Sequence, residues 1–476
     1  MTTRDYTFLG TTHSLCPHCR RRVEAKIIVR GKRVYFRKHC PEHGRFEDFV
    51  SSDVAHWDRN EFARPARQPT KYGVEPDKGC PFDCGLCSEH EQHTCIALVE
   101  ITTGCNLKCP MCFAESGPGG THVSFEAFTG MVDRLVELEQ VADVLQISGG
   151  EPTLHPDLPR MVRYAYEQPI QAVMINTNGI RLAKDRRLAE ALAPMRDRVE
   201  IYLQFDGFDP ATHTKLRGEE LLDIKLAALD MLAEFGLRST LVCTVAADTN
   251  LHEVGAVLKF GLSRPAVRGV SYQLATFCGR HTAPEDLERR ATMPDLMQGL
   301  IDQTAGLLTT EDFLPLPCAH PNCHTLAYLY RGGNGPVPIS RLMDVKPHLD
   351  LIANSIVYTP ARAKLIAAAV LADCGCGPGG CGPTPAEPES DFLAKALAEQ
   401  LNGEQVFRVT LTSFLDAHTF DTRQAMKCCI AHVLPSGHVV PFCTYNTLYR
   451  DGHVPLPPLV DKPPAVVRRS LQMTSE

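Results

Sequence analysis

Three thiols on one short loop set the chemistry this chain can do. Cys105, Cys109 and Cys112 stand at C-x3-C-x2-C spacing, directly after the apolar run 96–101. Read as a strand, that run puts the cysteines on the loop at its carboxyl end, where α/β folds collect their chemistry. Thiolates so placed can hold three irons of a [4Fe–4S] cluster and leave the fourth iron open to a ligand. A shuffled chain of this composition would carry the spacing about 0.035 times. This chain carries it twice, so chance does not account for it; the plainer alternatives are a zinc knuckle or buried thiols.

The second triple is Cys80, Cys84 and Cys87. Residues 88–93 follow it, with no helix and strand before the next cysteine motif. Only the Cys105 set has a Gly149-Gly150-Glu151-Pro152 turn downstream, at the distance of one βα unit. The Cys105 set is therefore read as catalytic, and the Cys80 set as an auxiliary cluster whose fourth thiolate comes from elsewhere.

Cys105, Cys109 and Cys112 with the Gly-Gly-Glu-Pro turn resemble the signature of the radical SAM superfamily. The resemblance implies that S-adenosylmethionine chelates the open iron and that Gly149, Gly150 and Glu151 meet its ammonium. It further implies cleavage to a 5′-deoxyadenosyl radical, which abstracts hydrogen from an unactivated carbon. An aromatic usually precedes the third cysteine in that family, whereas Met111 does so here and Phe113 comes after.

The remaining cysteines also read as metal ligands. No signal peptide precedes them, and the thiol pool of a cytoplasmic protein keeps cysteines reduced. Cys16, Cys19, Cys40 and His43 flank a basic hairpin with a Gly31-Lys32 turn, which fits a tetrahedral Cys3His site for one zinc or mononuclear iron, acting as a folding staple. Cys318, Cys323, Cys443 and one of the vicinal pair Cys428 and Cys429 suffice for a second auxiliary [4Fe–4S] cluster. The other vicinal cysteine could complete the Cys80 set. Cys95, Cys243 and Cys278 adjoin apolar runs and read as core. Cys374, Cys376 and Cys381 lie in a glycine-rich stretch and receive no ligand role.

These groups need a scaffold, and the pattern supplies one. From residue 96 to about 305 apolar strands alternate with helices, giving six βα units. The fold class expected is α/β, a partial (β/α)6 TIM-like barrel with N-terminal and C-terminal cysteine-rich metal-binding segments. The boundaries expected are a metal knuckle over 1–60, a linker and auxiliary-cluster segment over 61–95, the barrel over 96–305, a C-terminal auxiliary-cluster region over 306–454 and a proline-rich tail over 455–476. Strand ends offer Asn176, Asn178, Gln204 and Asp206 to a nucleoside cofactor.

A net charge of −7 gives no electrostatic case for nucleic acid. The expected partners are a small-molecule or lipid substrate and an external reductant such as flavodoxin or ferredoxin; a lipid substrate would add transient membrane contact.

From the N-terminal knuckle to the Cys428-Cys429 and Cys443 motifs, the chain is similar to the tetraether-synthase-like group of that superfamily. This resemblance implies C–C bond formation on lipid hydrocarbon chains. A related protein has been linked to methylation of a pterin, which makes a pterin-modifying enzyme the first alternative and a radical peptide-modifying enzyme the second. A non-catalytic iron–sulfur carrier would have no use for the Gly-Gly-Glu-Pro turn. The apolar run 365–372 is the one local hint of a lipid.

Overall fold

The computed structural model describes residues 4–373 and 387–460. Alternating side chains build an N-terminal ribbon from β1 (Thr7–Leu15), β2 (Arg22–Arg30), β3 (Arg33–Cys40) and β4 (Gly44–Ser51), paired antiparallel in chain order. Gly31, at φ +59°, makes the turn between β2 and β3.

Six parallel strands follow, each bonded to the next: β5 (Ile96–Glu100), β6 (Ala142–Ser148), β7 (Ile170–Thr177), β8 (Val199–Gln204), β9 (Arg238–Val245) and β10 (Val267–Leu274). Between them run helices such as Phe125–Glu139, which starts where the Ser124 hydroxyl accepts the Ala127 amide at 3.1 Å. Its Phe128, Met131, Val132, Leu135 and Leu138 pack against the outside of the sheet. Each such side chain contributes roughly 1.5–3 kcal/mol of burial. Along β8, buried Val199, Ile201 and Leu203 alternate with Glu200, Tyr202 and Gln204, which the period of two turns into the lumen.

Beyond residue 305 the chain does not form a separate layer. It adds β11 (Leu314–Pro315), β12 (His324–Gly332), β13 (Gly335–Pro338), β14 (Val406–Thr412), β15 (Ile430–Val433) and β16 (Val439–Pro441) to the same sheet. β14 lies parallel to β10 and β15 parallel to β5, so eight parallel strands stand side by side. The run ends on antiparallel β12 and β16 instead of closing, which leaves a partial barrel. No βα periodicity announced these two strands, because irregular cysteine-bearing segments lead into them. The apolar run 365–372 belongs to the helix Pro360–Asp373, where Ala367 is buried while Leu365 is 55% exposed. Among the described residues no helix is long and apolar enough to cross a membrane.

The ribbon docks through a buried charge. Lys38 is fully buried, pairs with Asp48 at 2.7 Å, and donates to the Leu15, Ala417 and His418 carbonyls at 3.1, 3.2 and 2.9 Å. His418 in turn meets Asp48 at 2.8 Å, and Thr12 donates to Asp421 at 2.6 Å. The stretch 416–421 is thus pinned to the ribbon, two residues from Phe414 and next to Leu415, both of which wall the main cavity.

Lys38→Met should lower unfolding stability by on the order of 3 kcal/mol, because Asp48 then keeps only His418 as a counter-charge. Chemical denaturation of the metal-loaded protein measures it. A loss below about 1 kcal/mol would show that the ribbon docks by other contacts.

Candidate active site and metal centres

The cluster loop leaves β5 and rests on the turn after β6. A Cβ on Gly149 would stand 2.3 Å from the Thr102 carbonyl oxygen, and one on Gly150 would stand 2.2 Å from that of Gly104. Only glycine permits this approach. It lets the Gly150 amide donate to Thr102 at 2.7 Å and the Glu151 amide to Gly104 at 2.9 Å.

Cys105, Cys109 and Cys112 line one cavity of about 140 Å³ together with Met111, Gly149 and Gly150. Burial pushes the Cys105 thiol up to about 11, against the Leu107 amide that donates to its sulfur at 3.4 Å. Three convergent thiols from one loop, held where water is scarce, fit the three-point ligand set of a [4Fe–4S] cluster with one iron open.

The structure sorts the other expected cofactor contacts. Asn176, Asn178 and Gln204 line the cavity with the cysteines. Asn178 donates to Asn106 of the cluster loop at 2.6 Å. Glu151 does not reach in. Its carboxylate accepts the Thr153 amide at 3.0 Å, the Thr177 hydroxyl at 2.7 Å and the Asn178 amide at 2.7 Å, so it caps the turn Pro152–Leu154 and ties β7 to it.

Asp206 is also turned away and fully buried. It holds Arg217 in a fork of two 2.7 Å bonds.

Arg217 is the contact that residue patterns missed. It sits in the last turn of the helix Pro210–Arg217, lines the cavity and lies beside the Cys109 thiol. Burial opposes its charge, yet Asp206 and then Cys109 hold it above its usual range. Asp206 and Thr244 take its Nε and one Nη, which fixes the guanidinium plane and leaves the other Nη free of them at the cavity wall. Lys225, buried behind it, donates to the Asn178 carbonyl and is pushed down to about 8 by burial and by Arg217.

The ribbon carries a second centre. The ligand atoms of Cys16, Cys19, Cys40 and His43 all lie within 4.8 Å of one another, with Cys16–His43 at 3.7 Å, Cys19–Cys40 at 3.8 Å and Cys40–His43 at 3.5 Å. Ligands about 2.3 Å from one tetrahedral centre stand about 3.8 Å apart, so these four fit a single ion. Burial opposes ionisation of Cys40, but hydrogen bonds from His43 and the backbone bring it down to about 6.

The Cys80 loop is shaped by Asp83, which accepts the Asp77, Lys78 and Gly79 amides at 2.8, 2.5 and 2.6 Å. Cys80, Cys84 and Cys87 face one another, with Glu89, Thr444 and Tyr449 as neighbours.

The vicinal pair divides differently from the expected assignment. Cys428 lies against Cys443, whereas Cys429 lies against Cys95 and His324.

Cys95 is fully buried in an apolar cluster, as a core thiol is, and its sulfur meets His93 at 3.6 Å; it also lies against Cys318 and Cys429, and Cys318 is brought down to about 7 beside it. Cys323 lies against His324, Cys428 and Cys429. The signal for Cys95 was its place at the start of β5, level in the sheet with Cys429 before β15: Ile96 and Ile430 are register partners. Cys278 lines the cluster cavity, while Cys243 is core. Cys374, Cys376 and Cys381 lie outside the described residues.

Comparison with known proteins agrees with this layout. Residues 8–52 match the HMPTM N-terminal zinc ribbon domain, and residues 99–261 match the radical SAM superfamily. The 7,8-dihydro-6-hydroxymethylpterin dimethyltransferase of Methanocaldococcus jannaschii is 31% identical over 92% of this chain and 94% of its own. The mycofactocin maturase MftC of Mycobacterium tuberculosis is 30% identical over 36% of this chain and 45% of its own. Among solved structures, Streptococcus suis SuiB bound to S-adenosylmethionine aligns at TM-score 0.38 and 17% identity, over 45% of this chain and 49% of that one.

Arg217→Gln should raise the KM for S-adenosylmethionine about 10- to 100-fold, the worth of a charge-assisted hydrogen bond. Asp206→Asn should do so more weakly, since it only loosens the fork. Steady-state formation of 5′-deoxyadenosine measures both, and an unchanged KM in Arg217→Gln would remove the guanidinium from the site.

Proposed function

From the premise that this chain belongs to the radical SAM superfamily, alongside the zinc-ribbon-bearing pterin dimethyltransferase, we propose that it installs a carbon substituent on a pterin-type heterocycle. The observation that carries this reading is similarity to that dimethyltransferase along 92% of this chain, together with the zinc ribbon matched at residues 8–52. The expected likeness to a tetraether synthase gives way at this level, since the full-length relative carries a pterin activity in its name.

The cluster with S-adenosylmethionine supplies a carbon radical able to take hydrogen from an unactivated carbon. Cys105, Cys109 and Cys112 would hold that cluster, Arg217 would orient a carboxylate beside it, and Asn176, Asn178 and Gln204 would position the nucleoside. The Cys80 triple would hold one auxiliary cluster. Cys95, Cys318, Cys323 and Cys429, beside His324, would hold a second, at the amino ends of β5 and β15. Cys16, Cys19, Cys40 and His43 would keep one zinc.

The shape of the interior supports the heterocycle. Below the cluster cavity a second one runs down the barrel lumen, and Phe113, Asn176, Gln273, Phe414 and Phe442 wall both. Its lining includes Gln146, Tyr202, Ser271 and Arg408, the convergent donors and acceptors that a flat polar ring requires.

The lipid reading keeps one observation of its own. A third, apolar cavity shares Leu326, Tyr328 and Ile356 with the lumen. At about 130 Å³ it is comparable in size to the cluster cavity, and its lining is apolar.

Cluster-loaded protein under anaerobic reduction should turn over 7,8-dihydro-6-hydroxymethylpterin to a methylated product, with 5′-deoxyadenosine rising in step. Mass spectrometry of the pterin pool reads the outcome. Stimulation by an alkyl lipid with no change in the pterin would replace this reading with the lipid one.

A further inference from the structure

The deepest polar group in the barrel is a cation with little to bind. Arg408 stands on β14, opposite Gly269, whose own Cβ would fall 2.3 Å from the Arg408 carbonyl oxygen. Without that glycine β14 could not close on β10, and the Arg408 side chain would not reach the lumen. A guanidinium offers five N–H donors. Here one bond goes to the Ile356 carbonyl at 3.1 Å, and the nearest carboxylate, Glu200 of β8, is 3.9 Å away. That gap is an ion pair and not a hydrogen bond. Each side chain keeps 19% of its surface accessible, and Glu200, which also accepts the Thr240 hydroxyl, stands beside Arg408 without itself lining the lumen cavity. For Arg408 that surface faces the lumen cavity. Burial works against its charge, and Glu200, then the Tyr328 and Tyr202 hydroxyls, hold the charge in place.

The donors of Arg408 that Ile356 does not take stay accessible at the lumen, where an acceptor entering the cavity can take them. The chemistry of that ligand follows from the pair. A free phosphate or carboxylate would meet Arg408 but be repelled by Glu200 3.9 Å behind it. An alkyl chain would desolvate both charges and return nothing. A planar edge carrying a carbonyl beside N–H donors satisfies both at once, with its oxygen to Arg408 and its amino group to Glu200.

Asn176 adds to this at the upper end of the same cavity. Its Oδ1 is buried without a hydrogen-bond partner, and its side chain walls both the lumen and the cluster cavity.

We infer that Arg408 and Glu200 form a recognition floor for the 2-amino-4-oxopyrimidine edge of a pterin, which stands the rest of the ring system upward toward the cluster cavity. The inference rests on the proposed pterin reading and adds the subsite and its orientation. Tyr202, two residues past Glu200 on β8, and Ser271, two residues past Gly269 on β10, line the same lumen.

The test uses the cluster-loaded, full-length protein and two fluorescent probes. These are 6-hydroxymethylpterin and the matching lumazine, in which an oxo group replaces the 2-amino group. Wild type should bind the pterin about tenfold or more tightly than the lumazine, because the 2-amino group donates to Glu200 where the 2-oxo group of the lumazine sets an acceptor against it. Arg408→Met should weaken pterin binding about 10- to 100-fold, with iron content and thermal transition checked for folding. Glu200→Gln should erase the preference for pterin over lumazine, and it serves if Arg408→Met does not fold. Equal binding of both probes by wild type, or pterin binding untouched by both substitutions, would overturn the subsite and leave the pterin reading standing. No pterin binding by wild type would overturn that reading and the subsite with it.

Discussion

The architecture depends on one backbone contact that has no room for a side chain. Gly149 and Gly150 press against Thr102 and Gly104, so the turn after β6 and the loop after β5 touch through peptide groups. That contact fixes where Cys105, Cys109 and Cys112 converge. It also explains why Glu151 is spent on Thr153, Thr177 and Asn178 instead of on a ligand: the turn must be capped before it can serve as a platform. Any substitution that adds a Cβ here would push the two strand ends apart and take the cluster loop with them.

Around that platform the chain closes with its own ends. The ribbon reaches the cavity wall through Lys38 and Asp48, and the C-terminal segment through Phe442, Cys443 and Asn446. Phe113 and Phe442 meet edge to face at 5.4 Å, and Phe442 meets Phe414 at 4.7 Å. These rings separate a cavity of thiols from a lumen of amides and hydroxyls. On the proposed reading, the reacting end of a substrate and its recognised end would lie in different chambers of one barrel. Arg450, forked onto Glu100 at 3.0 and 2.6 Å, locks the last helical turn to the end of β5.

Much of this was legible in the residues, and the exceptions share a cause. The six strands, the thiol triples, the zinc-type knuckle and the Gly-Gly-Glu turn all rest on short-range periodicity or spacing, which local sequence carries. Strands β14 and β15 escaped because their partners, β10 and β5, lie far away in the chain. The same holds for Cys95, which meets Cys318 and Cys429 across the sheet and looks like a core thiol when read alone. Arg217 lies eleven residues past Asp206. Its role appears only when the helix folds back over the strand end, while Asp206, more conspicuous at that end, proves to be its holder. Which neighbours Cys428 and Cys429 each meet is a tertiary fact that their adjacency in the chain does not reveal.

The central claim is that the open iron belongs to the Cys105 loop and not to the Cys80 loop of equal spacing. Electron paramagnetic resonance of the reduced, cluster-loaded protein, recorded with and without S-adenosylmethionine, tests it in Cys80→Ala and Cys105→Ala side by side. The account requires a signal that shifts on addition of S-adenosylmethionine in Cys80→Ala and does not shift in Cys105→Ala. A shift that survives in Cys105→Ala and vanishes in Cys80→Ala would show that the two loops have exchanged roles.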